Sequence, residues 1–192
     1  MIPEQHNEEH LEIGQDALLH IHLNEYRKLK DEQIIRIVMR EHLIYVILGV
    51  FGGISSYALY PGHHYAFLVI PWACVILGWL YVTTDEKVSA IGEYLRREMT
   101  EKLAPLTKTP AEQLLGWEVA HRSDKHRFTR KLLQLLIDQI TFVFSGVSAL
   151  IAFWWLQTDF NILFKIVWGI EAFLLLLLGI WILITADLKV GR

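Results

Sequence analysis

Cysteine is almost absent from this sequence, because Cys74 is the only one among 192 residues. A single thiol excludes an intrachain disulfide, and it cannot supply the paired thiolates of a CxxC metal or redox site. Cys74 lies inside an apolar stretch, where a small packing residue is its simplest interpretation.

The sequence also lacks the short motifs that mark common catalytic and nucleotide-binding sites. No GxGxxG, P-loop, nucleophile elbow or HExxH segment occurs in it. Nine histidines are present, but the pairs His6 with His10 and His20 with His22 come without the cysteine or carboxylate geometry of a zinc site. We therefore predict that the protein is not an enzyme, and we expect no cofactor and no metal.

One loose pattern leaves a membrane-tethered ribonuclease open as an alternative. His121 with His126, and Arg36 with His42, have the spacing found in HEPN ribonucleases. Such spacing arises often by chance, and Arg36 and His42 straddle a predicted membrane boundary, where RNA has poor access. Nucleic acid is therefore not an expected partner.

Long apolar runs dominate what is present, since 53% of the residues are hydrophobic. Four runs carry few or no charges, namely 43–60, 65–84, 140–157 and 162–186. A hydrocarbon core about 30 Å thick is crossed by roughly 20 helical residues, so each run can span a bilayer. We predict an all-α integral membrane protein with four transmembrane helices in two hairpins and with cytosolic helical extensions, surrounded by membrane lipids.

The positions of the basic residues predict the orientation. Of 18 Lys and Arg residues, five precede the first run, ten lie between 85 and 135, two follow the fourth run, and only Lys165 lies elsewhere. The positive-inside rule therefore places both termini and the middle segment in the cytoplasm of a bacterial inner membrane. The predicted segments are a cytosolic amphipathic helix (1–42), hairpin 1 (43–84), a cytosolic helical linker (85–135), hairpin 2 (136–187) and a cytosolic tail (188–192).

Two stripes of apolar residues at helical spacing predict the cytosolic helices. The first predicts one uninterrupted helix over about 15–60, and the second predicts a helix that ends at Pro105. The stripes consist of Leu19, Leu23, Tyr26, Ile34 and Ile37, and of Val88, Ile91, Leu95, Met99 and Leu103.

Glu171 is the sharpest functional candidate within the predicted spans. A carboxylate there costs a few kcal/mol on insertion scales and normally faces protein or water. Counting residues inward from the outer membrane surface places Glu171 at about the same depth as Ser55, Ser56 and Pro71. These residues could therefore form one polar layer. The functional interpretation is a pore ring or a protonation site. The structural alternative is a protonated Glu that is hydrogen-bonded to a neighbouring helix.

A second polar group lies where the third span enters the membrane. Asp138 and Gln139 could form an inner vestibule with Arg130 and Lys131, although interfacial residues that pair locally are the simpler interpretation. A basic run is expected to contact acidic lipid head groups, with an anionic nucleotide as an alternative ligand. That run comprises Arg122, Lys125, Arg127, Arg130 and Lys131.

Small residues on two spans predict close helix packing. Gly49, Gly52, Gly53 and Ser56 follow three- and four-residue spacing on the first span, and Gly146 plays the same part on the third. We expect packing within the chain rather than a contact between copies.

Several segments resemble an uncharacterised family of small bacterial four-span integral membrane proteins. They are NEYRKL at 24–29, Arg36-Ile37 with Arg40, IGEYLR at 91–96 and LGWE at 115–118. The layout is also similar to SLATT-type membrane effectors of bacterial antiviral systems, which implies permeabilisation of the inner membrane when a partner sensor fires.

Together these observations predict a homo-oligomeric channel or pore-forming effector. The alternative is a non-conducting membrane adaptor that docks a cytosolic partner or sensor through its N-terminal helix.

Overall fold

The computed structural model describes residues 3–110, 113–114, 127–157 and 161–186, with side chains from residue 14 onward except Arg127. Every regular element in these residues is a helix, and they contain no strand. The prediction of an all-α chain is therefore confirmed.

Helix α1 covers Pro3–Ala58 without interruption, which confirms the single long helix predicted from the first stripe. The chain then turns through Gly62, whose φ of 84° lies in the left-handed region that glycine adopts most readily. The ring of His64 hydrogen-bonds to the carbonyl oxygen of Ala58 at 2.8 Å, so this turn satisfies a carbonyl at the end of α1.

Helix α2 (Val69–Tyr94) follows a short 3₁₀ turn and continues through a π-helical segment (Leu95–Met99) into α3 (Thr100–Thr107). Pro105 lies inside α3, and the helix ends at Lys108 with a φ of 53°, so the prediction that Pro105 stops the helix is wrong. Buried Leu103 anchors this stretch, and Thr107 Oγ1 donates to the Leu103 carbonyl at 2.9 Å. Proline lacks the N–H that would bond to the Glu101 carbonyl, and α3 continues only to Thr107 beyond it.

The remaining helices are α4 (Arg127–Asp138), α5 (Ser145–Leu156) and α6 (Ile162–Thr185), with a π-helical segment (Gln139–Phe144) between the first two. Three helical stretches are long and apolar enough to cross a membrane: His64–Thr107, Phe128–Leu156 and Ile162–Thr185. They contain the second, third and fourth predicted spans. The structure is thus compatible with a membrane protein.

The first predicted span, 43–60, lies on α1 and is not among these three helices. The apolar part of α1 extends only from 43 to 58, which is shorter than the roughly 20 residues that a typical hydrocarbon core requires. Glu41 and His42 precede it directly. A four-span topology therefore stays a prediction.

The chain forms two compact units, one of Met1–Ile37 and Lys87–Lys125, the other of Val38–Glu86 and His126–Arg192. In the first unit, Leu95, Met99 and Leu103 are buried, as the second stripe predicts. They pack with partly buried apolar residues that include Leu19 and Tyr26 of α1.

The first stripe is only partly confirmed, because Leu23 is 38% exposed and Ile34 is 58% exposed. The packing face of α1 is instead partly polar. Tyr94 Oη donates to Glu25 Oε1 at 2.6 Å, and Gln33 Nε2 donates to the Val88 carbonyl at 3.3 Å. The Tyr94 hydroxyl also holds the pKa of Glu25 below its ordinary value, because it stabilises the carboxylate.

The second unit has a buried apolar core and a largely apolar exterior. Ile47, Cys74, Phe142, Phe153 and Leu175 are among its fully buried side chains. Outward-facing large apolar side chains outnumber the buried ones among the described residues, and Trp155 is 83% exposed. Contiguous apolar surface of this kind is uncommon on monomeric soluble proteins and suits a lipid environment.

Gly146 lies in a close helix contact of this unit. A Cβ atom at Gly146 would lie 2.7 Å from Leu175 Cδ2, and one at Gly78 would lie 2.7 Å from Leu178 Cδ2. Close packing at Gly146 is therefore confirmed, whereas Gly78 was not singled out from the sequence.

Gly49, Gly52 and Gly53 behave differently, because a Cβ atom at any of them would have no neighbour within 4 Å. The prediction that they pack within the chain is wrong. Helix α1 packs through its larger apolar side chains, Ile47, Phe51 and Ile54, which lie on another face. That face removes more apolar surface from solvent than the glycines would.

Replacing Gly146 by Val should lower the stability of the second unit. Overpacking at such a contact costs about 1–3 kcal/mol, and thermal unfolding in detergent will measure it as a reduced Tm. Gly169→Val on α6 is the matched control, because no atom lies within 4 Å of a Cβ there. Equal Tm shifts for the two variants would contradict the packing assignment.

Candidate intramembrane polar sites

Glu171 lies on α6 and is buried in the second unit, with only 1% of its surface exposed. Trp72 of α2 lies beside its carboxyl group. Neither carboxyl oxygen has a hydrogen-bond partner among the described residues. A carboxyl buried in a largely apolar helix, with the Trp72 indole as its one polar neighbour among the described residues, is expensive, so Glu171 is a functional candidate by default.

The predicted polar layer around Glu171 is only partly visible. Pro71 is fully buried and adjoins Trp72, which agrees with the depth count. Ser56 is exposed and donates to the Gly52 carbonyl of its own helix at 2.8 Å, while Ser55 is half-buried with an unpartnered Oγ. The contacts in the described residues thus join Glu171 to Trp72 rather than to the two serines.

A second polar site surrounds Asp138, which is 7% exposed at the end of α4. Its Oδ1 atom has no hydrogen-bond partner among the described residues. Asp138 lines a cavity of about 30 Å³, which is room for one or two water molecules. The other polar side chains of the lining are Tyr81, Asp85, Lys131, Gln134 and Thr185.

Helix α1 reaches this site through Arg40. Its guanidinium pairs with Asp85 of α2 and lies 5.9 Å from the centre of the Tyr81 ring. Gln134 Nε2 donates to Tyr81 Oη at 3.5 Å, and the Tyr81 hydroxyl lies beside Asp138. The site therefore joins α1, α2 and α4 within the second unit.

The structure brings together two members of the predicted vestibule, Asp138 and Lys131. Gln139 does not line this cavity. Its Nε2 donates instead to the Gly179 carbonyl of α6 at 2.9 Å. Arg130 is exposed. Of the rest of the basic run, Arg122 and Lys125 lie outside the described residues, as does the side chain of Arg127.

Sequence reasoning missed Arg40, Asp85, Tyr81 and Trp72. One signal was available for the ion pair: Arg40 precedes the first apolar run and Asp85 follows the second, so antiparallel spans would bring the two charges to the same membrane boundary. No periodicity or motif distinguishes Tyr81 or Trp72 from the other aromatic residues.

The residues of the ribonuclease alternative have other partners or lie outside the description. Arg36 pairs with Glu32, and the ring of His42 hydrogen-bonds to the Val38 carbonyl at 2.8 Å. At 100° per residue, Arg36 and His42 lie about 120° apart around α1. His121 and His126 are not among the described residues.

Comparison with protein-family models, with curated proteins and with solved structures finds no match to this chain. The resemblances to the small bacterial membrane proteins and to the SLATT-type effectors therefore stay predictions. Within the described residues, no group of three or more His, Cys, Asp or Glu side chains could hold a metal ion.

Proposed function

We propose that the protein is an oligomeric membrane channel or pore-forming protein that opens around Glu171. The burial of this unpaired carboxyl in an apolar helix carries the proposal. A buried polar group without a partner costs several kcal/mol. Helix–helix packing alone would be served better by an apolar residue, which supports a role for Glu171 in transport.

Further polar groups lie along the interior of the second unit and support an ion path there. Gln139 bonds to Gly179 on α6, and the Cys74 Sγ and Ser145 Oγ atoms lie 3.3 Å apart. Between Asp138 and Ser145 the helix rises about 10 Å, at 1.5 Å per residue. The proposed path thus runs from the Asp138 cavity toward Glu171.

The folded chain is closed at Glu171, because its carboxyl group is surrounded by protein. Conduction therefore requires α2 and α6 to separate near Trp72. The layout resembles SLATT-type effectors, and this resemblance supports gating by a cytosolic sensor and permeabilisation of the inner membrane in antiviral defence as the cellular role.

Replacing Glu171 by Gln removes the charge and keeps the size of the side chain. We expect ion flux through proteoliposomes to fall about tenfold or more, which corresponds to a barrier higher by about 1.4 kcal/mol. Glu101→Gln is the control, because Glu101 is exposed on α3 in the first unit. Unchanged flux in the Glu171 variant would contradict the proposed path.

The open glycine face of α1 supports assembly from several copies. Gly49, Gly52 and Gly53 have free space above them, and Ser56 is exposed on the same face. Small residues at this spacing let the backbone of a membrane helix approach another closely. Since the chain itself leaves this face uncovered, we place a helix of another copy there.

Gly53→Leu should therefore reduce the oligomeric state measured by native mass spectrometry. No described atom lies within 4 Å of a Cβ at this position and Gly53 is exposed, so the fold should be retained. Val50→Leu is the control, because Val50 lies on the same helix roughly 110° around its axis from the centre of the glycine face. A monomeric wild-type protein in mild detergent would contradict the proposed assembly.

A monomer would instead favour the adaptor alternative, which one observation supports. Leu18, Ile21 and Ile35 are all exposed on α1, upstream of its apolar end. Exposed apolar side chains at helical spacing are suited to docking in the groove of a partner protein. The adaptor would hold a cytosolic partner at the membrane without conducting ions.

We also infer that the apolar end of α1, 43–58, crosses the membrane as a fourth span, so that both termini are cytoplasmic. The run is short, and its pairing with α2 through Arg40 and Asp85 supports a transmembrane hairpin. Local thinning of the bilayer accommodates short spans at modest cost.

Cysteine labelling will test this topology in a Cys74→Ala background. An impermeant maleimide applied to intact spheroplasts should label Tyr60→Cys and should not label Asp16→Cys or Lys189→Cys. Tyr60 is 66% exposed, which makes it a suitable external position. If α1 does not cross, Asp16 and Tyr60 will be labelled from the same side.

A further inference from the structure

The cavity beside Asp138 has more oxygen atoms around it than the packing of the second unit requires. Its lining includes the carboxylates of Asp85 and Asp138, the hydroxyls of Tyr81 and Thr185, and the amide of Gln134. Gln134 uses its Nε2 for Tyr81, which leaves the amide oxygen as an acceptor. Such neutral and anionic oxygens are the ligands that hard cations prefer.

The two carboxylates differ in whether a positively charged side chain lies next to them. Asp85 is paired with Arg40, whereas Asp138 Oδ1 is buried and has no donor among the described residues. The Tyr81 hydroxyl faces the Asp138 carboxyl, but Oδ1 stays without a donor, so the desolvation of a carboxylate there is only partly compensated and a cation or a proton can complete it. Asp138 is therefore the residue of this cavity that we expect to bind a ligand.

Lys131 is the remaining charged residue of the lining. It precedes Asp138 by seven residues on α4, so it lies about 10 Å nearer the N-terminal end of the helix. Among the charges that act on the Asp138 carboxyl, Lys131 has a smaller effect than Asp85 and Arg40. Lys131 is thus a distant counter-charge, and Asp138 is the carboxylate of this lining that lacks a close ion-pair partner among the described residues.

The size of the cavity limits the ligand. About 30 Å³ accommodates one or two particles the size of a water molecule. A divalent ion of the Ca²⁺ type takes six to eight oxygen ligands, commonly with several carboxylates. A single negative charge with neutral oxygens in so small a space matches one small monovalent cation.

We propose that this cavity binds one Na⁺-sized monovalent cation, with Asp138 Oδ1 as the charged ligand and Tyr81, Gln134 and Thr185 as neutral oxygen ligands. The proposal that this ion is the one conducted by the channel rests on the proposed function. The binding itself does not depend on conduction.

Thermal unfolding of the purified full-length chain in detergent tests the binding. With NaCl replacing choline chloride at constant ionic strength, the Tm should rise by about 3 to 6 °C when Na⁺ reaches about ten times its Kd. Asp138→Asn should abolish this shift. Asp31→Asn should keep it, because Asp31 is exposed on α1 in the first unit.

A second variant keeps the test informative if the Asp138→Asn variant does not fold. Thr185→Val removes one neutral oxygen and leaves every charge in place, so it should raise the Na⁺ concentration for the half-maximal shift by about fivefold. No Na⁺-specific shift in the wild type, or an equal shift in Asp138→Asn, would overturn the proposal. A Tm that responds to pH and not to Na⁺ would overturn it as well, by identifying Asp138 as a proton site.

The outcome is separable from that of the flux experiment. A Na⁺-dependent Tm together with unchanged flux in the Glu171→Gln variant would contradict the channel and support the cation site. Flux that depends on Glu171 without any Na⁺-dependent Tm would remove the cation site and keep the channel.

Discussion

The apolar exterior of the second unit is the constraint on which its architecture depends. Side chains such as Trp155 and Ile184 face outward, so apolar residues lie on both sides of the same helices. In a solvent without hydrogen-bonding groups, each backbone N–H and C=O must find a partner within its own segment, and helices satisfy this requirement. The few polar side chains of these helices then have to turn inward.

Two inward-facing carboxyls illustrate this consequence, and they differ in their surroundings. Glu171 is enclosed by packed helices beside Trp72, whereas Asp138 opens into a small cavity with an ion pair nearby. In the proposed channel, Asp138 collects a cation at the cytoplasmic end and Glu171 controls its passage through the apolar part. Helix α1 contributes Arg40 to the Asp138 site, and its exposed glycine face is the contact between copies in the proposed assembly.

Sequence reasoning succeeded where one element alone decides the outcome. The uninterrupted α1 and the buried Leu95, Met99 and Leu103 follow from helical periodicity. It failed where a partner decides the outcome. Leu23 and Ile34 are exposed because α1 packs instead through Leu19, Tyr26 and Leu29, with hydrogen bonds of Glu25 and Gln33 to the same neighbouring helix. Pro105 lies inside α3, where Leu103 packs in the core of the first unit.

The sequence by itself determined that the chain is helical, which stretches are apolar enough to cross a membrane, and that Glu171 is unusual among them, because these properties depend on residue type and spacing along one helix. Only the tertiary structure decided that Gly146 packs tightly while Gly49, Gly52 and Gly53 do not. It alone brought Arg40, Tyr81 and Asp85 to Asp138. The rotation of each helix about its axis sets such contacts, and that rotation minimises the energy of all the helices together.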